Sequence, residues 1–227
     1  MKKKIRVGII GIGNMGSGHA KFIKLGLCPN IEITAIADIN KDRLEWAKKQ
    51  KFGKNVSYFS DDIEMLDSGL IDACIIAVPH YDHPTLAIEC MKRSIHVMLE
   101  KPSGVYTKQV KEMNEEADRH PEVVFGMMFN QRTNCVYRKL RELVQSGKYG
   151  SIRRTNWLIT TWYRPQAYYN SGGWRATWAG EGGGVLLNQC PHQLDLWQWI
   201  CGMPVKVHAH LQPQCRAICR TEDVRAP

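Results

Sequence analysis

Short apolar runs alternate with amphipathic stretches through the first half of the chain. Ile5 to Ile10 (IRVGII), Ile31 to Ala37 (IEITAIA), Ile71 to Val78 (IDACIIAV), Ile95 to Leu99 (IHVML) and Val123 to Met127 (VVFGM) are near-continuous apolar segments. Such runs are expected of strands in a parallel sheet covered on both faces. Between them, Met15 to Leu25, Lys41 to Gln50, Pro84 to Lys92 and Thr107 to Arg119 carry helical spacing. Pro84 suits a first helical turn, and Thr107 suits a cap. Val56 to Phe59 reads as a small strand, and Ser60-Asp61-Asp62 as the start of a capped helix. Strand and helix in alternation predict an open, doubly wound α/β sheet.

The pattern changes near Phe129. Residues Thr133 to Gln145 predict an amphipathic helix ended by Ser146-Gly147. Ser151 to Tyr163 (SIRRTNWLITTWY) alternates over a length unlike the earlier strands and predicts one long strand. A loop rich in Trp, Tyr and Gly runs from Arg164 to Gly184. An apolar helix to Ile200 and a last strand from Val205 to His210 follow. These signals divide the chain into a first domain, 1–129, and an incomplete open-sheet α+β second domain, 130–227. From Leu211 onward the apolar pattern is lost.

Composition narrows the classes of function. With 44% hydrophobic residues in 227, the chain can bury a globular core and is not a disordered type. The formal net charge of +9 is scattered in short runs, Lys2-Lys3-Lys4, Lys48-Lys49 and Arg153-Arg154, without interleaved aromatics. That argues for a solvated surface and against a nucleic-acid partner. No apolar window has the length of a membrane span. The start, Met1 and three lysines before Ile5, is broken by glycines and reads as a first strand, not a leader peptide. A cytoplasmic location follows. Eight cysteines include no C-x-x-C pair. Cys74 and Cys90 fall in apolar contexts, Cys190 and Cys201 flank one helical segment, and Cys215 and Cys219 have no second ligand pair, so thiols in a reducing compartment are expected. His19, His208 and His210 form no metal-ligand grouping, and no metal is expected.

Chemistry enters at Gly11-Ile12-Gly13-Asn14-Met15-Gly16, a G-x-G-x-x-G between a strand and a helix. Gly11 permits the tight turn, Gly13 lets the backbone approach a pyrophosphate, and Gly16 lets the helix pack close to the strand. The helix N-terminus, with Asn14 and Met15 in its first turn, offers free amides to the diphosphate. Asp38, at the end of the next strand, can accept bonds from the adenosine ribose and would repel a 2′-phosphate. The expected cofactor is therefore NAD. Lys41 and Arg43 keep NADP as the alternative. This is the pattern of a Rossmann domain.

Four stretches in order resemble the Gfo/Idh/MocA oxidoreductases. They are the glycine turn; Ala77-Val78-Pro79 with His83; Glu100-Lys101-Pro102; and Gly182-Gly183-Gly184 followed by Asn188, His192 and Asp195. The resemblance implies hydride transfer between a nicotinamide and a hydroxyl of a sugar, inositol or related polyol. It implies Lys101 as the residue that orients substrate and stabilises charge, and His192 as general acid/base. Asn188 stands where inositol dehydrogenase-like members carry Asp, and is expected to position substrate. Glu100 is expected at the nicotinamide ribose, with Pro79, His80 and His83 also lining the cofactor. Asn188 and His192, four apart, would share one helical face, with Pro191 kinking or dividing that helix. Trp174 and Arg175 suit a sugar as ring and donor fork, and Asn130 is a further substrate candidate beside Arg132. Asp195 reads as a helix brace, and Trp178, Trp197 and Trp199 as core or subunit-contact residues. Family members are longer. The resemblance therefore implies a truncated second domain, an exposed strand edge prone to association, and a homo-oligomer at full length. Two other readings stay open: a glycosidase that oxidises a sugar transiently with bound NAD, and an inactive dinucleotide-binding fragment.

Overall fold

The computed structural model describes residues 4–159 and 164–210. They form two compact units, divided between Met128 and Phe129.

The first unit holds β1 (Ile5–Ile10), α1 (Asn14–Lys24), β2 (Ile31–Ala37), α2 (Lys41–Gln50), β3 (Ser57–Phe59), α3 (Asp62–Asp67), β4 (Ala73–Ile76), α4 (His83–Lys92), β5 (His96–Leu99), α5 (Thr107–Arg119) and β6 (Phe125–Met127). The strands make one sheet in the order β3-β2-β1-β4-β5-β6, with every pairing parallel. Alternate side chains of β1 go to opposite faces. Val7 and Ile9 pack with Ala20, Leu44 and Ala47 of α1 and α2. Ile10 packs with Met65, Leu86 and Met113 of α3, α4 and α5. That double burial is why the strands are apolar at nearly every position. Cys74 and Cys90 lie fully buried between β4 and α4. Their mutual hydrogen bond, then burial, pushes the Cys74 thiol well up, so it stays protonated and unreactive. The capped start expected at Ser60-Asp61-Asp62 forms at α3, where Asp61 accepts from a backbone N–H, and Asn40 caps α2 in the same way. At α5 the expected cap does not form: Thr107 is the first helical residue and Tyr106 the cap.

The second unit is helical: α6 (Cys135–Gln145), α7 (Gln166–Asn170), α8 (Trp178–Glu181), α9 (Val185–Asn188) and α10 (Pro191–Cys201). Asn134 caps α6 by accepting from the Val136 N–H at 2.9 Å. The long strand expected over 151–163 does not form over 151–159, and 160–163 lie outside the described residues. The strand expected at Val205 to His210 is also absent. A strand is held by ladder bonds to a neighbour, and no described residue supplies one here. Leu158 and Val205 accordingly stand exposed. Residues 211–227, with Cys215 and Cys219, lie outside the described residues. The apolar helix expected up to Ile200 is divided, one of the two outcomes expected of Pro191, which lacks the N–H that would continue the first helix. Arg132 grips Asp195 with both arms of its guanidinium, which ties the one-turn helix Asn130–Thr133 to α10.

Candidate active site

The β1–α1 turn is built for close approach. Gly11 has φ +85°, and a Cβ there would lie 2.6 Å from the Ala77 carbonyl oxygen. Its N–H donates to Ala37 O at 2.8 Å. A Cβ at Gly16 would lie 1.9 Å from Gly11 O, so only glycine lets α1 start this near the turn. Gly13 caps α1 without a side-chain bond, and the first turn holds no acidic residue. The amides of Asn14, Met15 and Gly16 have no partner earlier in the helix, and the helix dipole adds positive potential there. Asn14 and Met15 are exposed beside them. This cradle fits a diphosphate.

Asp38 follows β2 and is 6% exposed. Its Oδ2 accepts the Ile12 N–H at 2.8 Å and its Oδ1 accepts the Asn40 N–H at 2.8 Å. The carboxylate is thus locked beside the glycine turn, with lone pairs left for ribose hydroxyls. Arg43 reaches within 3.8 Å of Asp38 while half exposed. Asp38→Ser is expected to raise the NADP-to-NAD affinity ratio by about tenfold or more, because removing the charge leaves Arg43 to face the 2′-phosphate. Calorimetric titration with each dinucleotide measures this, and an unchanged ratio would remove Asp38 from selection.

The loops after β4 and β5 carry the remaining candidates of the first unit. Pro79 is exposed, and His80 is buried behind it. His83, expected among the cofactor contacts, is instead a brace. Its ring is 1% exposed, with Nδ1 2.6 Å from Pro102 O and Nε2 2.9 Å from Val78 O. Burial pushes its pKa down against the pull of those carbonyls; the neutral ring has one N–H, so it donates to one of the two oxygens and packs against the other, between the Lys101–Pro102 segment and the end of β4. The Lys101–Pro102 peptide is cis. Lys101 is half-buried. Glu100 is buried; its Oε1 lies 2.7 Å from His19 Nε2, and its Oε2 accepts the Lys101 N–H at 3.2 Å.

In the second unit, Asn188 and His192 do not share a helix face. Asn188 ends α9, and His192 follows Pro191 at the start of α10. Asn188 is buried, and its Nδ2 donates to Glu181 Oε1. That bond to a buried carboxylate ties Asn188 to the residue that ends α8. His192 is half-buried, with its ring edge-on to Phe129 at 6.2 Å between centroids. Asp195 braces α10 through Arg132, as its position after the glycine run implied. Arg175 stacks between Tyr168 at 4.3 Å and Trp174 at 4.6 Å and donates to Tyr168 Oη at 2.7 Å. Asn130 is exposed. Trp178 and Trp197 are exposed, so neither is a core residue within this unit. Trp199 stacks under Arg132 and Arg141. Among the described residues no cluster of His, Cys, Asp and Glu could hold a metal ion. No described helix is long and apolar enough to cross a membrane.

Two residues escaped the sequence reading. His19 is visible afterwards as the residue one turn past Gly16 on the buried face of α1, a position otherwise weighed only for metal binding. Glu181 left no comparable signal. It meets Asn188 only because Gly182, at φ +72°, ends α8 in the left-handed region.

A parallel sheet of this order, a glycine turn shaped by backbone contact and an acid locked at the end of β2 define a dinucleotide-binding Rossmann domain. The chain belongs to the Gfo/Idh/MocA oxidoreductase family. The family's model for its NAD-binding Rossmann fold matches residues 5–127, and its C-terminal domain model matches residues 137–224. The chain is similar to myo-inositol 2-dehydrogenase of Thermotoga maritima, at 28% identity over 89% of the chain and 56% of that protein. It is similar to D-glucoside 3-dehydrogenase of Escherichia coli, at 30% identity over 91% of the chain and 57% of that protein. Among solved structures it resembles scyllo-inositol dehydrogenase of Lactobacillus casei with bound NAD(H) and scyllo-inositol: TM-score 0.73, 27% identity, 88% of this chain and 57% of that one. The chain spans about half the length of the curated relatives it matches.

Proposed function

We propose that this chain carries the cofactor domain and the reacting side chains of an NAD-dependent dehydrogenase acting on a sugar, an inositol or a related polyol. The observation that carries the reading lies within one sheet. Lys101 leaves β5 at the same carboxyl edge where the glycine turn leaves β1, with only β4 between the two strands. Ligands of open α/β sheets lie at that edge, where the strand order reverses. Gly11, Gly13 and Gly16 would hold the diphosphate, Asp38 the adenosine ribose and Glu100 the nicotinamide ribose, with Pro79 and His80 nearby. When bound, the nicotinamide supplies the hydride acceptor or donor. Lys101 donates to the substrate hydroxyl oxygen and stabilises negative charge as the O–H proton leaves. In the second unit, His192 is the residue the family resemblance assigns as general acid/base, the role that takes a hydroxyl proton in oxidation and returns it in reduction. Arg175 and Trp174 present a donor fork and a ring face suited to a polyol. The relatives named for inositol and glucoside oxidation support this substrate class. The six described cysteines are all free thiols, which supports a cytoplasmic setting.

The test is a panel of inositols, free sugars and glucosides incubated with NAD and followed by NADH absorbance. Net NADH formation with a polyol is the expected result. The assay is preceded by melting curves, in which saturating NAD is expected to raise the midpoint. No shift with either NAD or NADP, and no binding heat, would overturn the reading.

A further inference from the structure

His19 and Glu100 lie 81 residues apart in sequence and meet at 2.7 Å. Their side chains are only 16% and 7% exposed. His19 projects from the face of α1 that also buries Gly16 and Ala20, so it is carried by the helix whose first turn forms the anion cradle. Glu100 receives a second bond on its other oxygen, from the Lys101 N–H. Its carboxylate is therefore held from two directions, by the helix of the diphosphate and by the backbone of the reacting lysine. A carboxylate fixed in this way keeps two lone-pair directions for further donors.

The strand order says which donors. Asp38 follows β2, on one side of β1, and Glu100 follows β5, on the other. A dinucleotide with its diphosphate over the β1–α1 turn and its adenosine ribose at Asp38 must extend its second ribose toward β4 and β5. Glu100 is the buried acid waiting on that side.

We propose that His19 is a positioning residue for the nicotinamide half of the cofactor. It aims Glu100 at the nicotinamide ribose hydroxyls and thereby couples the seating of the diphosphate on α1 to the orientation of the ring beside Lys101. The proposal rests on the dinucleotide reading above. It adds a function for a histidine that neither the glycine turn nor the Glu-Lys-Pro step includes.

ADP and NAD separate the two ideas, because ADP carries only the adenosine half. Calorimetric titration of the full chain is expected to give a His19→Leu variant that binds ADP within about twofold of the parent but NAD about tenfold more weakly, the effect of losing a bond to a charged group. His19→Gln, whose amide nitrogen can replace Nε2, is expected to recover most of the lost NAD affinity. A purely structural role for His19 would weaken ADP and NAD alike. An unchanged NAD-to-ADP ratio in the leucine variant would overturn the proposal. Should that variant unfold, His19→Asn, polar but too short to reach Glu100, takes its place with the same two outcomes. Failure of the parent chain to bind either ligand would instead overturn the dinucleotide reading itself.

Discussion

Replacing Lys101 with alanine is expected to lower turnover by about three orders of magnitude while NAD affinity stays within about twofold. The asymmetry follows from where each group of the segment points its bonds. The backbone N–H of residue 101 serves Glu100, and the next residue's carbonyl meets the buried His83 ring. Alanine keeps both, so the cofactor side of the loop survives. What disappears is the ammonium, which is needed when an alcohol oxygen gains negative charge. Lys101→Arg should fall between the two, since a planar fork holds its charge but not the position of a single ammonium. Calorimetry gives the affinity, and single-turnover NADH formation gives the rate. Turnover within tenfold of the parent in the alanine variant would take Lys101 out of the mechanism.

Gly16→Ala is expected to abolish measurable dinucleotide binding and to cost about 3 kcal/mol of stability, the scale of overpacking with no flexible neighbour to yield. The added methyl would sit 1.9 Å from the Gly11 carbonyl oxygen, a backbone atom of the very turn that shapes the anion site. Relief requires α1 to withdraw from the turn, which spreads the first-turn amides. Gly18→Ala is the control on the same helix. Nothing lies within 4 Å of its added methyl, so it should stabilise by about 0.5–1 kcal/mol through helix propensity alone. Urea unfolding and NAD titration of the two variants distinguish local geometry from general damage to α1. Retained binding in the Gly16 variant would mean that the amides after Gly13 do not hold the diphosphate.

The first unit was largely legible in the sequence because its signals are local. Doubly covered strands are apolar at successive positions, the glycine turn and its helix are contiguous, and Asp38 ends the strand it serves. The side chains around Lys101 were less legible. Nothing near His83 in sequence marks Pro102 as its partner, and His19 acquires meaning only when β5 brings Glu100 to it. In the second unit, alternation over 151–159 promised a strand, but a strand also needs a neighbour. The four-residue spacing of Asn188 and His192 suggested one helical face, while Pro191 between them already signalled the break that separates them.

The reversal of strand order at β1 has an evolutionary consequence. The two acids assigned to the cofactor riboses hang from opposite wings of the sheet, Asp38 beyond β2 and Glu100 beyond β5. Descendants of such a chain can therefore drift in their taste for a phosphorylated or plain adenosine by altering one wing alone. The other wing, which carries Glu100 and Lys101, need not change at all.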